Sequence, residues 1–390
     1  MFLLLACFSS CSRYAVLFAG SKEFYNYRHQ ADMYTIYNQL LNRGFTPKNI
    51  KLFAYDDIAA NEENPYQGQI FHTLEHKNNV YPGTSTIDVK GDDITPGSFY
   101  NVITSLPTSS EDYVLIFYND HGGYGTLGTP NKENIYADQL SKSFDQASSS
   151  NLYKQCLFLI EACFSGSIGK VITASNTATI TASNDNELSH AAVWDSEIGC
   201  WLTNEFTNSF ISVIDESPQM LVGELYDQLA KLTDQSHVSY YGDENIKKVP
   251  LSNFIGLPNR KISHNLHITS KQTVSQRKAS EMSLEFLAHH EKPSVRAKAK
   301  LEILRRKAQT EKLEVVLDMI VKFIDPKNYD RIMNDTTAKL SQNYFDVLKI
   351  FQKKFGEVNP DDYGRFSVFK ELAAIHPKDE IVRAIETVLK

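Results

Sequence analysis

Two stretches decide the reading of this chain: Leu157–Ser167, LFLIEACFSGS, and Ile116–Gly125, IFYNDHGGYG. Each opens as a short apolar run of the kind that forms a buried strand in a parallel sheet. The first breaks into small residues just after Glu161-Ala162-Cys163, the second into glycines just after Asp120-His121. In an open α/β sheet, side chains at the carboxyl ends of neighbouring strands converge on one crevice. A thiol and an imidazole delivered to that crevice form a nucleophile and its base.

The pattern around these runs supports such a sheet. Tyr14–Ala19, Ile50–Ala54, Tyr113–Tyr118, Cys156–Ile160 and Ala178–Ala182 read as strands. Helical spacing appears at Asp32–Leu41, Ala137–Ala147, Trp201–Ile214 and Leu221–Leu232. Strand–helix alternation predicts a mainly parallel sheet covered by helices across residues 13–257. The long polar stretch Asp56–Pro96, with a short strand near Ile87–Lys90, reads as a wall of the crevice. Pro258–Ser275 is polar and weakly periodic, a linker. Beyond it the chain is rich in Lys and Glu and helix-patterned, as at Ser294–Ala308, Glu311–Phe323, Tyr344–Phe355 and Phe366–Ala374, so residues 276–390 form a second, all-α region.

Length and composition agree: 390 residues imply two domains, and 42% hydrophobic content supports a sizeable core. The net charge of −7 argues against nucleic acid as a partner. Charge is split unevenly. Residues 1–270 carry 17 Lys and Arg against 29 Asp and Glu, whereas residues 271–390 carry 23 against 18. The two parts attract each other, unless the second is simply a solvated helical surface. Phe2–Phe8 with Ser9-Ser10-Cys11-Ser12 has the form of a short signal peptide, residues 1–12, and its removal leaves Cys156, Cys163 and Cys200, too few for a disulfide framework. No apolar run approaches the ~20 residues that span a bilayer. Asn334-Asp335-Thr336 is a glycosylation sequon, usable if the chain is secreted.

A reactive cysteine needs its thiolate, and so a nearby base. Small residues after Cys163 let a substrate backbone approach, and its own N–H, with that of Gly122, is placed to meet a developing oxyanion. Glu161, two residues before Cys163, projects to the same side of the strand. Asn26-Tyr27-Arg28-His29 follows the first strand at its carboxyl end and meets the same crevice. Arg28 is placed to pair with Glu161, and Asn26 to orient His121, although spacing alone leaves a structural role open for both.

Gly20–Ala31 (GSKEFYNYRHQA), Tyr55–Ala59, Asp120-His121-Gly122, Glu161–Ser167 and Ser236-His237-Val238 through Gly242 together resemble the legumain family of asparaginyl endopeptidases. The resemblance implies a caspase-like α/β sandwich with a C-terminal helical prodomain. It implies Cys163 as nucleophile, His121 as general base and acid, and Asn26 supporting that histidine. The substrate pocket would draw on Arg28, His29, Glu161, Ser189 and Cys200. It further implies cleavage after Asn, and after Asp at acid pH, by a lysosomal, vacuolar or secreted zymogen that activates itself when acid releases the prodomain. Asn253, Asn259 and Asn265 are the candidate self-cleavage sites. Partners would be peptide and protein substrates, the chain's own prodomain and cystatin-type inhibitors; no cofactor, metal, nucleic acid or integral membrane segment is implied.

Two features depart from the family. Gly199-Cys200-Trp201 stands where a Gly-Asp-Trp is usual, so a pocket carboxylate is missing, and the family's pocket serine matches Ser189 or is replaced by Leu188. Glu187–His190 with Asp195–Gly199 also resembles the catalytic subunit of the glycosylphosphatidylinositol transamidase. The alternatives to hydrolysis after Asn are therefore a transamidase or peptide ligase using the same Cys–His site, a peptidase of altered specificity, and a binding module that has lost the chemistry.

Overall fold

The computed structural model describes residues 12–131, 133–217, 219–259 and 272–390. Its centre is a six-stranded sheet in the order Ser239–Gly242, Thr177–Thr181, Gln155–Glu161, Tyr113–Asn119, Arg13–Ala19, Ile50–Phe53. All neighbours run parallel except Ser239–Gly242, which is antiparallel at one edge. The three central strands are nearly solid apolar runs because helices cover both faces. Their side chains alternate between two cores: Ala15, Leu17 and Ala19 enter one, and Tyr14, Val16 and Phe18 the other. The expected mainly parallel sheet covered by helices is thus what the chain forms.

Register, more than composition, positions the strand ends. Ala19 pairs with Asn119, and Asn119 with Glu161, so three strands end at the same level. Neighbouring parallel strands lie about 4.8 Å apart, so the residues just beyond Asn119 and Glu161 are side by side.

Three expectations are corrected. The helix expected over Trp201–Ile214 begins only at Glu205, because Cys200–Asn204 is a strand paired with His190–Asp195 in a separate small sheet. Val193, with φ 65°, sits in the middle of that ladder, whose register is the same on both sides of it, at Thr203↔Ala192 and at Trp201↔Trp194. The linker read as Pro258–Ser275 ends in a strand, Thr273–Ser275, that adds to the free edge of His190–Asp195. The helices expected at Ser294–Ala308 and Glu311–Phe323 are one helix, Pro293–Ile324, since Gln309 and Thr310 offer no break. The probable signal peptide, apart from Ser12, lies outside the described residues.

The C-terminal helices share a core with the sheet: Leu313, Val316, Ile320, Tyr344, Phe345 and Tyr363 join Tyr124 and Phe164 in one apolar cluster. Tyr363 rests on the Gly123 backbone so closely that an added Cβ would lie 2.7 Å from it. Among the described residues no helix is long and apolar enough to cross a membrane.

Phe18 is fully buried, and its ring meets those of Phe53, Phe99 and Tyr118 at centroid distances of 5.2, 4.6 and 5.5 Å. Phe18→Ala is expected to cost about 3–5 kcal/mol, read by urea unfolding; a loss under about 1 kcal/mol would show that this layer does not hold the sheet.

Candidate active site

Cys163 sits two residues past the end of Gln155–Glu161, and His121 two past the end of Tyr113–Asn119. After Cys163 the chain reverses through Phe164, at φ 55°, a left-handed conformation that bulky residues rarely adopt. The strand ends are so close that a Cβ on Gly122 would lie 2.3 Å from the Cys163 carbonyl oxygen, so only glycine fits there. The thiol lies 3.9 Å from Ser189 Oγ and 4.0 Å from the Ser189 carbonyl.

His121 Nε2 is bonded to Asn26 Oδ1 at 3.1 Å, and the Asn26 amide is oriented by donating to the Lys22 carbonyl at 3.0 Å. Assigned from this network, Nε2 carries the proton and Nδ1 is the basic nitrogen. A carboxylate oxygen of Asp361 lies 3.3 Å from that nitrogen. Asp361 in turn holds Arg306 at 2.6 Å, and its side chain is only 3% exposed. Burial, with the charges of Arg28 and Arg306, holds His121 well below the usual imidazole range. Burial pushes the Cys163 thiol up to about 12. The candidate nucleophile and base thus both lie at this crevice, and both are covered.

Beside the thiol is a polar pocket, and the side chain filling it belongs to the C-terminal region. Thr273–Ser275 runs antiparallel to His190–Asp195, and the Gln276 N–H continues the ladder to the Ser189 carbonyl at 3.0 Å. The Gln276 carboxamide is satisfied at both ends. Its oxygen accepts from Arg28 at 3.3 Å and meets His29 Nε2 at 3.2 Å. Its nitrogen donates to Ser189 Oγ at 2.8 Å and to Glu161 at 3.4 Å. Arg28 and Glu161 therefore grip opposite ends of one amide; the direct pair expected between them is not formed. Burial, reinforced by Asp32, pushes Glu161 up to about 8.

A layer beneath holds these groups. Arg28 donates to Asn204 Oδ1 at 3.0 Å; Asn204 donates to Asp32 and Asn119. Asp32 also takes bonds from Asn119 and Thr203 and is bonded to His72. His29 Nδ1 is bonded to Ser21 Oγ at 2.6 Å and lies 3.4 Å from Asp120. His29, Asp120 and His121 bring ligand atoms within 4.8 Å of one another, a spacing that suits a cation, although Arg28 places a guanidinium charge beside both Asp120 and the two imidazoles.

Most of the sequence-derived residues converge here: Cys163, His121, Gly122, Asn26, Arg28, His29, Glu161 and Ser189. Ser189 rather than Leu188 faces the pocket; Leu188 packs against the core. Cys200 is buried and its thiol donates to the Phe24 carbonyl at 3.3 Å, without a bond to the Gln276 amide. Asn253 lies in the short helix Ser252–Ile255, Asn259 is exposed, and Asn265 is outside the described residues. Sequence reasoning missed Gln276, Asp361, Arg306, Asp32 and Asn204. The alternation in Thr273-Val274-Ser275 was the one local hint of a strand leading to Gln276.

The model of the peptidase C13 family matches residues 13–258. A hemoglobinase from Schistosoma japonicum is 35% identical over 259 residues, covering 63% of this chain and 60% of its own. A legumain from Canavalia ensiformis is 31% identical over 353 residues, covering 80% and 72%. A vacuolar-processing enzyme from Citrus sinensis is 42% identical over 201 residues, covering 48% and 40%. The chain thus spans less than two thirds of the hemoglobinase and of the Citrus enzyme.

A covered thiol held at about 12 alkylates slowly. Iodoacetamide at pH 7, read at Cys163 by mass spectrometry, is expected to label the full chain at least ~10-fold more slowly than the chain freed of residues 272–390. Equal rates would mean that the C-terminal region does not shield the thiol.

Proposed function

Because the chain belongs to the peptidase C13 family, we propose that it is a cysteine endopeptidase that cleaves after asparagine and is held inactive by its own C-terminal helices. The observation that supports this most directly is the Gln276 carboxamide, gripped by Arg28, His29, Ser189 and Glu161 beside the thiol. A pocket offering donors to an amide oxygen and acceptors to its nitrogen selects a carboxamide, and leaving those buried groups unmatched costs ~1–3 kcal/mol each.

In the uncovered enzyme His121 Nδ1 takes the Cys163 proton. The thiolate adds to the carbonyl carbon of the bound residue, and the N–H groups of Cys163 and Gly122 receive the oxyanion. His121 gives its proton to the leaving amine, and a thioester remains. Water, deprotonated by His121, then releases the acid. Asn26 keeps the imidazole in the tautomer this requires. Glu161, whose pKa of about 8 keeps it neutral below that pH, is able to donate to a side-chain carboxyl, and acid neutralises the substrate's own Asp side chain, which fits cleavage after Asp under acid conditions.

The inactive state rests on three contacts: Gln276 fills the pocket, Asp361 faces the catalytic nitrogen, and salt bridges cross from an acidic body to basic helices, as Lys298 to Glu23 and Glu63 and Lys349 to Asp138. Acid acts on these unequally. Burial raises Glu63 and Asp361, so through them acid favours the covered state. His121 works the other way. Burial, Arg28 and Arg306 hold its pKa down while the C-terminal region covers it; release removes Arg306 and part of the burial and raises it, so as the pH falls through the released value protonation of the imidazole favours the released state. Release at acid pH therefore works through the imidazole. Of the candidate self-cleavage sites Asn259 is exposed, whereas Asn253 is half-buried in a helix that would have to unwind. The vacuolar name of one relative fits use of the chain in the secretory pathway, in a vacuole or lysosome or outside the cell.

After incubation at about pH 4–5, where released carboxylates and imidazoles both take up protons, the chain should cut peptides bearing Asn before the scissile bond and not those bearing Ala or Lys. Cys163→Ala should abolish this. Cys163-dependent cutting after another residue would refute the specificity, and no turnover even without residues 272–390 would refute the peptidase reading. Asp361→Asn leaves Arg306 without its closest partner, a change worth about 3–5 kcal/mol for a buried pair. That variant should release its C-terminal region, followed by gain of activity, at a higher pH than the parent; an unchanged or lower release pH would remove Asp361 from the lock.

A further inference from the structure

Away from the thiol, the long segment of residues 56–96 meets the hairpin of His190–Asp195 and Cys200–Asn204 through polar side chains that the chemistry above does not use. Tyr66, Phe71 and His76 pack ring on ring, with centroids 4.8 to 5.2 Å apart. His76 Nε2 is bonded to Asp195 Oδ2, and His76 Nδ1 lies 2.8 Å from the Tyr66 hydroxyl. That hydroxyl lies 2.5 Å from Glu197 Oε1. The other oxygen of Asp195 accepts the N–H groups of Glu197 and Ile198 at 2.8 and 3.0 Å, which builds the turn between the two strands.

The hydrogens in this chain of bonds can be counted. Asp195 accepts at both oxygens, so His76 Nε2 carries a hydrogen. Tyr66 has one hydroxyl hydrogen and two neighbours, Nδ1 and Glu197, and a carboxylate has none to give. The three bonds need three hydrogens, whereas a neutral imidazole and a phenol supply two. With Tyr66 donating to Glu197, Nδ1 is protonated as well, and His76 is an imidazolium between two carboxylates. The bond to Glu197 pushes the Tyr66 phenol up to about 12, so it remains a donor. Glu75 and Lys77 flank His76 along the chain with opposite charges.

We propose that Tyr66, His76, Asp195 and Glu197 form a clasp closed by one added proton, which fixes the turn of the hairpin against residues 56–96 in acid and frees it as the pH rises. The closed clasp holds one proton more than the open one. It is therefore favoured as the pH falls, and it loses that advantage as the pH rises through the range in which histidine changes charge, about 5 to 8. What the clasp joins bears on the pocket. The segment carries His72, the hairpin carries Thr203 and Asn204, and all three are bonded to Asp32 beneath Arg28. The hairpin also presents Ala191 and Ala192 at the edge that Thr273–Ser275 occupies. Restraint at the turn thus reaches both the floor of the pocket and the strand edge. The clasp shares no residue with the contacts over His121, and it does not depend on the peptidase reading.

The decisive variant is Glu197→Gln, at a side chain that is 62% exposed. Its carboxamide nitrogen is able to donate to the Tyr66 oxygen, which frees the hydroxyl for Nδ1, and a neutral imidazole then completes all three bonds. The test is hydrogen exchange of the full chain carrying Cys163→Ala, which cannot process itself, read by mass spectrometry over residues 195–204 and corrected for intrinsic exchange. The Glu197, Ile198 and Gly199 amides should exchange about fivefold faster at about pH 8 than at about pH 6, as for one hydrogen bond lost. Glu197→Gln should keep them slow at both, and His76→Ala should leave them fast at both. Release of the C-terminal helices acts on the parent and on Glu197→Gln alike, so the difference between those two reads the clasp even where His76→Ala fails to fold. Equal exchange at both pH values in the parent, or the same rise in Glu197→Gln, overturns the proposal, as does a folded His76→Ala that exchanges no faster than the parent at the lower pH.

Discussion

Everything at the site depends on one register. Asn119 pairs with Glu161 across two parallel strands, so the chain leaves both strands at the same level and in the same direction. Two residues later each strand delivers its reactive side chain. The Gly122 backbone then touches the Cys163 carbonyl so closely that no other residue fits. Slipping either strand by one residue would turn its side chains to the other face of the sheet. The two apolar cores prevent that slip, since Leu115 and Phe117 belong to one and Ile116 and Tyr118 to the other. The burial that stabilises the sheet is therefore the same constraint that places the thiol near the imidazole.

A buried charge needs partners, and the pocket shows how they are supplied. Arg28 is fully buried, as is Asp32, and the two are linked through Asn204 rather than by direct contact. Arg28, Asn204 and Thr203 each meet a second acceptor, which keeps the groups from collapsing onto one another. That spacing leaves Arg28 and Glu161 free to hold opposite ends of an amide. A direct ion pair between them would have been simpler, and it would have closed the pocket.

The C-terminal region covers the crevice at the strand ends, the surfaces that the proposed function assigns to a substrate. Thr273–Ser275 adds a strand to an exposed sheet edge, the usual way an extended peptide is bound, and Gln276 follows it into the pocket. The chain then turns into the helix Gln276–Leu287 instead of continuing past the thiol. From further along, Asp361 reaches His121 Nδ1 and Tyr363 packs on Gly123. Occupation of the pocket, of the base and of the neighbouring backbone by one region explains why the thiol is so deeply buried.

The sequence by itself determined the sheet, the two reactive residues and most of the pocket. Apolar runs ending in Asp120-His121-Gly122 and Glu161-Ala162-Cys163 carry their meaning locally, because strand ends and glycine turns are short-range properties. It did not reveal Asp32, Asn204, Gln276, Asp361 or Arg306. Asp32 looked like one polar position on a helix, Asn204 lay inside what read as a helix start, and Gln276 opened a polar helix. Their roles arise chiefly from partners 40 to 248 residues away along the chain. No periodicity encodes such a pairing; it exists only once the strand edge, the pocket and the C-terminal helices are packed together, and so only the tertiary structure decided it.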